Sequence, residues 1–145
     1  MISVKHSIVV DRPLQDVFNY LTTPENTPEW QESVTESTII TEGPIGLDTR
    51  VKVSRRIMGQ SVTLVLETIE FVPNKRFSFK TESGPVPLNG TVEVESGDSG
   101  TKVTFTVSGD PGGLFALAGP FITQIVRKET VENANRLKYI LERHE

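Results

Sequence analysis

The chain has 145 residues, no cysteine and a net charge of −4; that is one domain, 1–145, without disulfides, thiolate metal sites or a cysteine nucleophile. Its basic clusters are no longer than the pairs Arg55-Arg56 and Arg127-Lys128, which excludes a phosphate-binding footprint, so nucleic acid is not an expected partner. No apolar run approaches the roughly 18 residues of a membrane span, and "MISVKHSIVV" lacks a signal-peptide layout, so the expected location is cytoplasmic.

Residues 2–10, "ISVKHSIVV", alternate. Val4, His6, Ile8 and Val10 share one face, and Ser3, Lys5 and Ser7 the other, which predicts a half-buried strand. "DRPLQDVFNYL" then reads as a helix, with Asp11 as N-cap and Pro13 in its first turn. Val17, Phe18 and Leu21 have helical spacing, and Pro24 blocks continuation. "PENTPEW" predicts a second short helix or turn, with Thr27 as cap and Pro28 in the first turn.

A series of strands follows: "SVTESTII", "DTRVKVSRRIM", "SVTLVLETIEFV", "RFSFKTE", "LNGTVEVE" and "TKVTFTVSG". The turns between them are "GPIGL", "GQ", "PNK", "SGPVP" and "SGDSG". Short strands separated by turn signals predict an antiparallel meander. After the glycine-rich "DPGGLFALAG" the period changes. From Pro120 to about Arg143, Ile122, Ile125, Val126, Ala134, Leu137, Ile140 and Leu141 fall on one broad helical face. That helix is roughly 24 residues and ~36 Å long, and only the sheet is large enough to cover its stripe. The expected class is α+β: a curved antiparallel sheet of about seven strands around a long C-terminal helix, with two short helices after the first strand. One helix stripe does not fill the concave face of such a sheet, so a cavity is expected between them.

The segments "HSIVVDRPLQDVFNYLTTPENTPEWQESV", "RFSFKTESGPVPLNGTVEVE" and "DPGGLFALAG…LKYILE" together resemble the START-like, helix-grip superfamily over nearly the whole chain. They are closest to its polyketide cyclase/dehydratase-like (SRPBCC) branch, whose members are mostly small bacterial proteins. The opening motif of that branch is matched by Ile8, Pro13, Val17, Phe18, Leu21, Pro24 and Trp30. The resemblance implies the helix-grip fold. It does not imply one activity, because the superfamily holds lipid carriers, hormone receptors, aromatase/cyclases and co-chaperone-like modules.

Trp30, the chain's single tryptophan, falls near the cavity mouth in a helix grip. It is either a wall of the pocket or a seal of the core. Arg55 shares parity with Val51, Val53 and Ile57, which places a guanidinium on an apolar face unless a bulge shifts the register or the side chain reaches out at the strand end. Asn133 lies near the middle of the helix stripe and Glu129 nearer its edge; both need polar partners, and Arg55 is a candidate for Glu129. Phe77, Phe79 and Phe105 supply aromatic bulk, as core or as pocket lining. Arg55, Glu129 and His6 are the candidates for acid–base chemistry, with no convincing pair among them. Val86, Leu88, Leu114 and Phe115 are apolar residues in Gly/Pro-rich loops. They are expected to close over the cavity as a lid or to dock on a partner chain, a homodimer being one form of that.

No metal or cofactor is expected. The leading functional expectation is binding of a small hydrophobic molecule, aromatic or lipid-like. The alternatives are a polyketide cyclase/dehydratase-like enzyme and a protein-interaction module.

Overall fold

Alternation along residues 2–10 gives strand β1 (Ile2–Val10): Ile2, Val4 and Val10 are buried, and Ser3, Lys5, Ser7 and Val9 are exposed. The structure is a computed structural model that describes residues 2–57, 59–82, 88–109 and 119–143. Helix α1 (Leu14–Leu21) follows, then a 3-10 turn at Pro24–Asn26, helix α2 (Thr27–Trp30), strands β2 (Val34–Ile39), β3 (Arg50–Ile57), β4 (Gln60–Val72), β5 (Arg76–Thr81), β6 (Leu88–Gly97) and β7 (Gly100–Gly109), and helix α3 (Gly119–Arg143). The seven strands form one antiparallel sheet in the order β1-β7-β6-β5-β4-β3-β2. This is the helix-grip architecture expected from the sequence.

Two capping expectations are corrected. Asp11 does not cap α1, whose N-cap position is held by Pro13. The Asp11 backbone N–H instead donates to Glu142 Oε2 at 2.9 Å, and Arg12 donates to the Leu141 carbonyl at 3.0 Å. The connection after β1 is therefore spent on the end of α3. Thr27 is the first residue of α2 rather than its cap, because the 3-10 turn runs straight into the helix and leaves Asn26 at the N-cap. Tyr20 donates to Glu29 Oε1 at 2.6 Å and ties α1 to α2. Burial first, then the hydrogen bond and charge of Glu29, push the phenol above its ordinary value.

The sheet is bent tightly. Lys138 of α3 donates to the Val9 carbonyl of β1 at 2.6 Å, while Glu129 of the same helix meets Arg55 of β3 at 3.2 Å. β1 and β3 are five places apart in the sheet, about 24 Å at the usual strand spacing. A helix with its side chains is only about 10–12 Å across. The sheet spans both contacts by curling, helped by the register shift in β4 between Thr68 and Glu70. At the β6–β7 turn, Gly100 has φ +127, and a Cβ there would lie 2.2 Å from the Val10 carbonyl oxygen. Only glycine lets the turn pass so close to the end of β1.

The two halves of α3 differ. Ala134, Leu137 and Leu141 are buried in a core with Val10, Val103 and Phe105. Toward the N-terminus, Ile122 and Val126 are half-buried, and Ile125, expected on the stripe, is 47% exposed. Ile125 is rotated about 100° from Val126, outside the narrower face that meets the sheet. The C-terminal half is fastened by charge as well. The Lys138 ammonium, then the Asp11 N–H, hold the Glu142 carboxyl below its ordinary value. With the folded value lowered, the stabilising contribution is present above the unfolded carboxylate pKa of about 4.3 and is lost as pH falls below it. Glu142→Gln is expected to lower the urea midpoint slightly near neutral pH and to match the wild type in acid. A constant difference at every pH would show that ionisation plays no part.

Candidate functional site

β3 pairs with β4 without a shift from Arg50↔Glu67 to Ile57↔Gln60. Its parity is therefore kept, and Val51, Val53 and Arg55 all face α3 across a cavity of about 270 Å³. The bulge that could have turned Arg55 outward lies in β2 instead. Arg55 Nη1 donates to Glu129 Oε1 at 3.2 Å and Nη2 to Gln31 Oε1 at 3.1 Å; Ser33 Oγ donates to the same Glu129 oxygen at 2.7 Å. The structure thus brings Arg55 and Glu129 together and adds two partners from the segment between α2 and β2. Asn133, one helical turn from Glu129, also lines the cavity.

The rest of the lining is mostly apolar. Trp30 is 7% exposed within the core cluster and also borders the cavity. Its ring lies 5.7 Å from that of Phe105, another residue shared by core and cavity. Phe77 packs edge-on against Phe18 of α1 at 6.0 Å and stacks at 6.4 Å on Phe79. Phe79 pairs across the sheet with Gly90, where a Cβ would lie 2.6 Å from the ring. Gly90→Ala is therefore expected to lift the Phe79 ring into the cavity, costing about 1–3 kcal/mol of stability by overpacking. A crystal structure of the variant with an unmoved ring would refute this.

His6 sits opposite Phe105 on β1, but the cavity does not extend to it. As an acid–base candidate it is separated from Arg55 and Glu129. Leu88 is not part of a lid: it opens β6, pairs with Gly109 and lines the cavity as wall. Val86, Leu114 and Phe115 lie outside the described residues. Among the described residues no three His, Cys, Asp or Glu side chains gather as a metal site would require, and no helix is long and apolar enough to cross a membrane.

Ser37 was not singled out from the sequence, yet it is 7% exposed and lines the cavity. Simple alternation puts Val34 and Ser37 on opposite faces. The β2 bulge adds a residue, so both face inward. Three buried side-chain polar atoms have no hydrogen-bond partner among the described residues: His6 Nε2, Ser37 Oγ and Arg55 Nε. Ser37 and Arg55 border the cavity. An unpaired buried group costs about 1–3 kcal/mol, so two at one site call for an explanation.

A family model described as polyketide cyclase / dehydrase and lipid transport matches residues 1–142. Among curated proteins, none matches the sequence. Solved structures with the same fold include Zhui aromatase/cyclase from Streptomyces sp. R1128, with TM-score 0.81 and 18% identity over 97% of this chain and 93% of that one. A START superfamily protein from Mycobacterium smegmatis has TM-score 0.81 and 12% identity over 99% of each chain. The di-domain ARO/CYC BexL from the BE-7585A biosynthetic pathway has TM-score 0.76 and 23% identity over 96% of this chain and 46% of that one. The chain thus spans about half of the di-domain protein. At these identities the likeness is one of fold.

Proposed function

Because the chain belongs to the polyketide cyclase / dehydrase and lipid transport family, we propose that it binds a small, mostly apolar molecule in the cavity between the sheet and α3, as a carrier or sensor. The observation that carries this reading is the cavity itself: about 270 Å³, walled by Trp30, Phe77, Phe79 and Phe105, with Arg55, Glu129 and Asn133 among its polar groups. An apolar cavity of about 150 Å³ accommodates one benzene, so this one suits a body of about two rings. A few placed polar groups on an apolar wall are the usual composition of a binding site.

A cyclase-like reaction would draw on Arg55 and Glu129. Glu129 Oε1 already accepts from both Ser33 and Arg55, so a proton from a substrate would fall to Oε2.

The neutral two-ring fluorophore 1-aminonaphthalene tests the proposal. It is expected to bind one per chain with saturable enhancement of its emission, and to raise the melting temperature as it saturates, since a ligand that binds only the folded state stabilises it. Emission that rises linearly with protein, with no change in melting temperature, would overturn the proposal.

A further inference from the structure

We infer that the N-terminal end of α3, together with the neighbouring end of β3, is a docking surface for an anionic lipid bilayer. The inference does not depend on what fills the cavity. Phe121 is 67% exposed and Ile125 is 47% exposed. They lie one helical turn apart, and Lys128 follows at the next turn, so the three share one outward face of α3. α3 runs beside β1 in the same direction, because Lys138 meets Val9 and Glu142 meets Asp11. Its first turns therefore lie at the end of the sheet where β1 begins. Five antiparallel steps separate β1 from β3, so β3 ends there.

Folding also gathers charge at this end. The basic pairs Arg55-Arg56 and Arg127-Lys128 are each too short to hold phosphate groups alone. Arg55 meets Glu129 at 3.2 Å, so Arg56 and Lys128 are the chain neighbours of one ion pair. That ion pair neutralises itself. Arg56, Arg127 and Lys128 are exposed, and none of the ion pairs among the described residues uses them. Residues 119–128 contain no acid, and the next exposed acid of α3, Glu132, is a turn beyond Lys128. In a chain of net charge −4, this end presents cations beside projecting apolar side chains.

A bilayer suits that surface better than a protein partner does. Phe121 and Ile125 stand out from the convex surface of a helix. Fluid acyl chains close around projecting groups, whereas a folded partner would need a matching recess. Apolar side chains among the acyl chains with Lys and Arg at anionic headgroups is the division of labour of an interfacial helix. No helix among the described residues is long and apolar enough to cross a membrane, so the contact is peripheral and reversible.

Vesicle sedimentation with the full chain tests this, comparing equimolar phosphatidylserine and phosphatidylcholine with phosphatidylcholine alone. Binding is expected on the mixed vesicles and roughly 100-fold weaker on phosphatidylcholine, at about fivefold for each of Arg56, Arg127 and Lys128. It should fall as salt is raised. Phe121→Ser should weaken it by about tenfold, and Arg127→Gln combined with Lys128→Gln by roughly 25-fold. These side chains are exposed, so the urea midpoints should stay at the wild-type value. Tyr139 is 63% exposed on the same helix but ~27 Å from Phe121, and Tyr139→Ser should bind as the wild type does. Equal binding to both kinds of vesicle, or to neither, would overturn the inference. So would a Phe121→Ser chain that binds like the wild type, or a Tyr139→Ser chain that loses as much. Binding to polyglutamate but not to vesicles would overturn it in favour of an acidic protein partner. Saturable binding of 1-aminonaphthalene should be unchanged in all these variants, so the docking surface and the cavity reading fail separately.

Discussion

A chain that stops before Gly119 is expected to lose cooperative folding altogether. The C-terminal half of α3 carries Ala134, Leu137 and Leu141 into the core at 0%, 0% and 6% exposure, over Val10 and Val103 at 0% and Phe105 at 7%. Shortening one of them, as in Leu137→Ala, should cost about 2–5 kcal/mol, against a net stability of about 5–15 kcal/mol for a whole domain. Removing the helix takes all three at once and uncovers the inner face of the sheet. It also strips partners from Arg12, Asp11 and Arg55. Urea titration followed by Trp30 fluorescence checks this. The truncated chain should give no sigmoidal transition and Leu137→Ala a lowered midpoint. A two-state curve from the truncated chain would show that the sheet has a sufficient core without α3.

Trp30→Ala is expected to destabilise the fold by about 3–5 kcal/mol and to weaken ligand binding as well. Trp30→Phe should keep most of the stability and reduce binding less. The two effects have separate readouts because Trp30 is the only indole in the chain. As a pocket wall it should change emission saturably with 1-aminonaphthalene, at the concentrations where the melting temperature rises. A rise in melting temperature with unchanged Trp30 emission would place the ligand elsewhere and leave Trp30 as core alone.

Much of the framework is legible from periodicity. The strands appear wherever residues alternate between turn signals, and α3 appears where the period changes to that of a helix. The Arg55–Glu129 pair was also within reach. Strand parity aims one inward, the helical wheel aims the other toward the sheet, and both needed partners. The rest was hidden by features that break a period. Ser37 faces the cavity only because a bulge intervenes after Val34, and alternation carries no record of an inserted residue. The spacing of five between Val34 and Ile39, both at least half-buried, is the one trace of it. Asp11 has the composition of a helix cap, but a contact with Glu142, 131 residues away, decides its role. Ile125 has the hydrophobicity of a core residue, yet whether the sheet reaches that part of α3 depends on curvature.

The position of β1 in the sheet also sets the timing of folding during synthesis. β1 has one neighbour, β7, and the hydroxyls of Ser7 and Thr104 that bond across that pair are 97 residues apart in the chain. At a ribosomal rate of roughly 5–20 residues per second, the first strand emerges about 5–20 s before its partner exists. The meander from β2 to β7 can zip up neighbour by neighbour as it appears. β1 cannot join it until nearly everything else has been made, and through that interval its backbone edge has no native strand to pair with.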